Sequence, residues 1–282
     1  MCSIAVEYGA GSVTALMSSD DIKIGNINLK SIEFGSAYQV SGDFGDTDGI
    51  IGLAFSGLLS DDKNTPLLDS MLAQGKITSA EFAVYLSDAT DSPDASAHGS
   101  EITFGHTKPH LHTTPFVYHK LLSKDNYWAI GLEDFLIDGQ SIFPKGWLEA
   151  QGPLKAVVDT GTSFLTAPQE WAKNEIMPKV LVDPLCSKMD KLPQITYVLQ
   201  GGHHYTLSPR DYVVSMRDGE SRECVTGFGA LDVEPPLGPL WILGDVFLRK
   251  YYSHFQRGSE SEAGQVGFAL AKGQAKEEAW VI

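Results

Sequence analysis

The stretch Val157-Val158-Asp159-Thr160-Gly161-Thr162-Ser163 leaves its backbone few choices. Two consecutive β-branched valines favour a buried strand, and Gly161 permits a tight turn that a residue with a Cβ resists. The strand is therefore expected to end at an acid. Thr160, Thr162 and Ser163 are expected to ring that carboxylate with hydroxyl donors, which bind the ionised form and fix its orientation. Turn chemistry alone explains Asp-Thr-Gly equally well, because such clusters close many strands. The remainder of the chain has to separate a catalytic acid from a simple turn.

Downstream, Ile242-Leu243-Gly244 reads as a buried strand, and residues 246–251 read as a short helix. Residues 4–13 alternate apolar with small or polar side chains and then turn at Gly9 and Gly11, the pattern of a β-hairpin. Gly9-Ala10-Gly11 is no dinucleotide fingerprint, since Thr14 stands where a third glycine is needed. Ile50-Ile51-Gly52 repeats the apolar-apolar-glycine pattern. It is followed by a helix candidate at residues 65–72 with proline in its first turn, then by strand candidates at 82–86 and 100–105. Apolar-apolar-glycine thus occurs twice in a recurring order, and Asp-Thr-Gly once.

Taken together, these pieces resemble the pepsin-like aspartic proteases from about Tyr8 to the C-terminus. The resemblance implies a mainly β, bilobal fold, with residues 1–115 forming a partial N-terminal lobe and residues 116–282 the C-terminal lobe. It implies that Asp159 is catalytic and that Tyr8 is the tyrosine of the substrate-covering flap, beside Gly9 and Ala10. Ala10 replaces the threonine or serine usual there. Gly161 and Thr162 would line the cleft, Thr162 bonding the outer oxygen of Asp159. Thr160 would bond across to a twin in the other lobe, and Ser163 would support the site. Tyr127-Trp128-Ala129-Ile130 resembles the entry strand of the second lobe and reads as packing. Cys186 and Cys224 stand where the family closes a loop by a disulfide, the alternative being two reduced thiols.

Each lobe of such a duplicated fold brings its own catalytic loop over its own apolar-apolar-glycine strand. Ile50-Ile51-Gly52 has no such loop, and Asp46-Thr47-Asp48 fails as one by residue and by position. The first catalytic aspartate is expected upstream of Met1, leaving the N-terminal lobe truncated and apolar surface exposed around Ile50-Ile51-Gly52. The resemblance implies an endopeptidase that activates water between two aspartates, acts on extended polypeptides as a monomer, and uses neither metal nor organic cofactor. With one aspartate, the chain alone is expected to be inactive. The alternative is a noncatalytic, protease-like protein that binds peptides or a protein.

Composition narrows the class. A formal net charge of −15 disfavours nucleic acid as a partner. It suits an acidic compartment, where protonation relieves self-repulsion. No apolar run approaches membrane-spanning length. The disulfide, if formed, implies a secretory route, although no signal peptide precedes Met1-Cys2-Ser3. Of three cysteines, Cys2 is left over. His106, His110 and His112, like the pair His203-His204, lack Cys or acidic companions at metal-ligand spacing and read as loop histidines. Residues 87–100 read as a polar loop, and Asp61-Asp62 as a solvated turn.

Overall fold

The computed structural model describes residues 3–45, 47–59, 64–87, 99–218, 221–259, 262–273 and 280–281. Asp46, Asp61, Asp62, Cys2 and most of the expected polar loop lie outside them. The fold is mainly β, with short helices between strands. The chain divides into two compact units: Met1–Glu81 with Lys124–Tyr127, and Phe82–Ser123 with Trp128–Ile282.

The first unit is built on a three-stranded antiparallel meander of Ser3–Tyr8, Gly11–Ile24 and Ile27–Gly42. The expected hairpin is present: Tyr8 faces Gly11 across the two-residue turn Gly9-Ala10. Gly11 is required there, because a Cβ would lie 2.0 Å from the Ser41 carbonyl oxygen. The second turn, Gly25-Asn26, also has two residues, and Gly25 takes the left-handed φ of 58° that such tight hairpins demand.

Burial in this sheet is lopsided. Leu29 and Ala15 are inside, whereas Phe34, Tyr38 and Val40 farther along the third strand are exposed. The helix Leu67–Ala73, with Pro66 at its N-cap, buries Leu67, Leu68 and Met71. Just past it, Gln74 holds the Lys30 backbone by two bonds of 2.9 Å. The segment Ile50-Ile51-Gly52, expected to be a strand, is not one. Its isoleucines are 55% and 64% exposed. Among the described residues no strand pairs with it, so its backbone gains nothing from being extended.

The second unit carries an eight-stranded sheet. In spatial order it runs His203–Leu207, Ile195–Leu199, Ala129–Ile137, Leu154–Val158, Leu240–Leu243, Leu165–Ala167 and Phe228–Ala230, with Gln140–Ser141 beside Ala129–Ile137. Leu154–Val158 and Leu240–Leu243 are parallel, Val157 facing Ile242 and Val158 facing Leu243. Central parallel strands are covered on both faces and favour apolar runs, which residues 156–158 and Leu240–Leu243 supply. Phe135, Tyr197 and Trp241 are essentially sealed from solvent, with ring centroids 4.9–6.4 Å apart.

A five-stranded sheet contains Glu101–Phe104, Glu81–Tyr85, Tyr251–Gln256, Gln265–Leu270 and Val117–Lys120 in that order. Its third and second strands follow the two apolar-apolar-glycine segments in sequence and lie side by side. A third sheet joins Ser221–Thr226, Val213–Asp218 and Trp280–Val281. Residues 209–212 form the helix Pro209–Tyr212. Pro209 sits in its first turn, and Ser208 and Asp211 form a capping box. Cys186 and Cys224 are bridged, with Cα atoms 5.5 Å apart.

Candidate active site

Asp159 continues the parallel ladder, its N–H donating to the Leu243 carbonyl at 3.2 Å. There the strand stops. The Gly161 N–H donates to Asp159 Oδ1 at 2.9 Å, and the Thr162 hydroxyl donates to Oδ2 at 2.6 Å. Both carboxylate oxygens are therefore held, one by backbone and one by side chain. The ring of three hydroxyls expected from the sequence is reduced to one. Thr160 and Ser163 are exposed, and neither side chain bonds Asp159. The tight turn itself presents the Gly161 amide where a further hydroxyl was expected.

The loop is anchored from beneath by the glycine of the downstream motif. A Cβ on Gly244 would stand 2.2 Å from the Thr162 carbonyl oxygen and 2.3 Å from that of Phe164, so no other residue fits. Gly244 is the N-cap of the helix Asp245–Lys250. The Asp245 N–H reaches the Thr162 carbonyl at 2.8 Å, and the Val246 N–H reaches that of Ser163 at 3.2 Å. Helices begin with unpaired N–H groups, and here the Asp159 loop satisfies two of them. The loop and the helix start are thus one hydrogen-bonded assembly.

Asp245 was not singled out by sequence reasoning. Burial pushes its carboxyl up to about 6; the Arg249 guanidinium opposes this and the Asp159 carboxylate adds to it. The site therefore contains a second acid that feels the charge of Asp159. The available signal was its place directly after Gly244, immediately before the segment read as a helix.

Tyr8, Gly9 and Ala10 belong to the first unit. Tyr8 is 40% exposed, its ring edge-on to Phe44 at 5.9 Å. Gly9 has open space about its Cα, and the Ala10 carbonyl accepts the Asp43 N–H at 3.1 Å. Trp128 and Ile130, read as packing, are buried. Among the described residues no cluster of three or more His, Cys, Asp or Glu is placed to hold a metal ion.

The family model for eukaryotic aspartyl protease matches residues 2–271. Cathepsin D of Gallus gallus is 35% identical over 277 residues, covering 94% of this chain and 65% of that protein. Cathepsin E of Rattus norvegicus is 33% identical over 277 residues, covering 95% and 65%. Napsin-A of Homo sapiens is 34% identical over 287 residues, covering 98% and 65%. The chain thus spans about 65% of the length of these relatives. It resembles them across nearly all of its own length, and it belongs to the eukaryotic aspartyl protease family.

Proposed function

We propose that this chain carries one half of the acid pair of an aspartic endopeptidase, with Asp159 as that acid. The observation that carries this reading is the grip on Asp159: both oxygens accept short hydrogen bonds from a loop that is itself bonded to a helix start. A carboxylate oriented in this way is suited to taking a proton from water as the water attacks a peptide carbonyl. Gly161 and Thr162 are assigned to the substrate backbone, Thr160 and Ser163 to support of the loop, and Tyr8, Gly9 and Ala10 to the covering hairpin. The lobes are assigned as residues 1–115 and 116–282.

Peptide hydrolysis in this scheme needs an acceptor and a donor in the same step, and neighbouring carboxylates provide both by sharing a proton. The chain contains one Asp-Thr-Gly. We therefore assign it polypeptide binding without turnover when it acts alone. Groups that act as a unit lose many powers of ten in rate when one is removed. The protein is assigned as a monomer on the secretory route, the latter supported by the Cys186–Cys224 bridge. Among the described residues no helix is long and apolar enough to cross a membrane.

Two measurements on the 282-residue chain test this. Release of soluble peptides from denatured globin at acid pH should not exceed that of Asp159→Ala; turnover that the substitution abolishes would overturn the one-acid reading. An extended apolar peptide with a secondary alcohol in place of the scissile amide should bind, and Asp159→Ala should weaken it about tenfold or more, as losing a hydrogen bond to a charged group does. Equal binding would remove Asp159 from the site.

A further inference from the structure

His119 lies on the strand Val117–Lys120 and is fully buried. Both ring nitrogens are engaged by the hairpin formed by Ile195–Leu199 and His203–Leu207. Nδ1 is 3.0 Å from the Gln200 carbonyl oxygen, and Nε2 is 2.8 Å from the Tyr205 hydroxyl. A carbonyl can only accept, so Nδ1 carries the proton and Nε2 of the neutral ring accepts from Tyr205. Burial keeps the Tyr205 hydroxyl protonated and able to donate. One imidazole therefore ties the five-stranded sheet to the edge hairpin of the eight-stranded sheet, and only its neutral form accepts from Tyr205.

The surroundings add to this dependence. The Lys120 N–H donates to Gln200 Oε1 at 2.9 Å, so the same strand grips the same turn residue twice. From the hairpin, the His203 ring stands near-perpendicular to that of His119, with centroids 5.6 Å apart. From the strand Ala129–Ile137, Glu133 accepts the Gly201 and Gly202 N–H groups, each at 2.9 Å. Tyr118 and Lys120 flank His119 on its own strand. Val266, Gly267 and Phe268 of the neighbouring strand bring no charge. Tyr251 touches Tyr205 from the other side at 5.1 Å.

We propose that His119 is an acid-sensitive latch: its neutral ring accepts the Tyr205 hydroxyl and so holds the 195–207 hairpin closed, and its protonation at Nε2 releases Tyr205 while the Nδ1–H bond to the Gln200 carbonyl persists. Adding a proton at Nε2 makes both nitrogens donors. Tyr205 must then reverse its hydroxyl and is left seeking an acceptor inside the core, while the new charge has no buried partner. The release begins at the sheet edge. The inner hairpin strand pairs with Ala129–Ile137, which pairs with the strand ending at Asp159. The latch thus sets a lower pH limit for the order of the sheet that carries the acid.

Burial, with His203 adding to it and the Gln200 carbonyl and Glu133 opposing it, pulls His119 from 6.5 down to about 4. The neutral form is thus favoured by folding. The stability it contributes is complete above 6.5 and falls as pH drops toward 4. Such a gap corresponds to a roughly hundredfold larger opening constant at pH 3.5 than at pH 7.

Hydrogen exchange at the amides of residues 200–205, corrected for intrinsic rates, reads this directly on the full chain. Wild type should lose about a hundredfold in protection between those pH values. His119→Gln, which cannot titrate, should lose markedly less. Equal losses in the two proteins would overturn the proposal. Imidazole 15N signals of the wild-type protein decide the matter should the variant fail to fold. They should show the Nδ1–H tautomer, titrating together with loss of protection at 200–205. A ring that titrates near 6.5, or protonates while those amides stay protected, would refute the latch.

Discussion

Ile242-Leu243-Gly244 and Ile50-Ile51-Gly52 share a sequence pattern and have opposite fates. The first is in a parallel ladder, its side chains 7% and 0% exposed, with Gly244 wedged against two carbonyl oxygens. The second belongs to no strand, its isoleucines stand in solvent, and a Cβ on Gly52 would meet nothing within 4 Å. The segments even share their downstream elements, since each leads through a helix, Asp245–Lys250 or Leu67–Ala73, to adjacent strands of one sheet. The difference teaches that β-propensity is a fit to partners rather than a property of the segment. Val157 and Val158 supply those partners to Ile242 and Leu243.

Substitution of the glycines should break the comparison most sharply. Gly244→Val drives a branched side chain into backbone atoms of the Asp159 loop and should cost about 4 kcal/mol or more. Gly52→Ala should change stability by less than about 0.5 kcal/mol. Denaturant midpoints of the two variants check this, and similar losses would mean that Gly52 is also confined. The isoleucines give a smaller contrast. Ile242→Ala leaves a cavity in a closed core and should cost about 3 kcal/mol, whereas Ile51→Ala should again stay within about 0.5 kcal/mol.

The smallest of these contrasts is electrostatic. Asp245, next to the buried glycine, is held well above its ordinary value, so the folded state binds its proton more tightly than the unfolded chain. The stability this contributes is present below about 3.8 and lost as pH rises through about 6. Asp245→Asn should remove that loss and gain about 2 kcal/mol at pH 7 relative to pH 4. Thermal unfolding of both proteins at the two pH values measures it. An unchanged difference would mean that Asp245 is well solvated.

Much of this contrast was legible beforehand. Residues 4–13 announced a hairpin because alternation and glycine are local signals, and the structure has that hairpin. Exposure of Ile50 and Ile51 was expected because no second Asp-Thr-Gly loop accompanies them. The strand assigned there fails, since periodicity reports what a segment suits and not whether a neighbour is present. At the site, Thr162 holds Asp159 as expected, while Thr160 and Ser163 do not. The direction of a hydroxyl depends on turn geometry that residue types leave open.

What the sequence determined by itself is the strand leading to Asp159, the hairpin at residues 4–13 and the family, all of which rest on short-range backbone preferences and recurring motifs. What only the tertiary structure decided is which of two matching segments becomes a strand, that Gly244 admits no side chain, that Asp245 feels Asp159, and that His119 has both nitrogens bound in the core. Burial, close approach and the charge of neighbours depend on residues distant in sequence. They come into being only when the chain has folded.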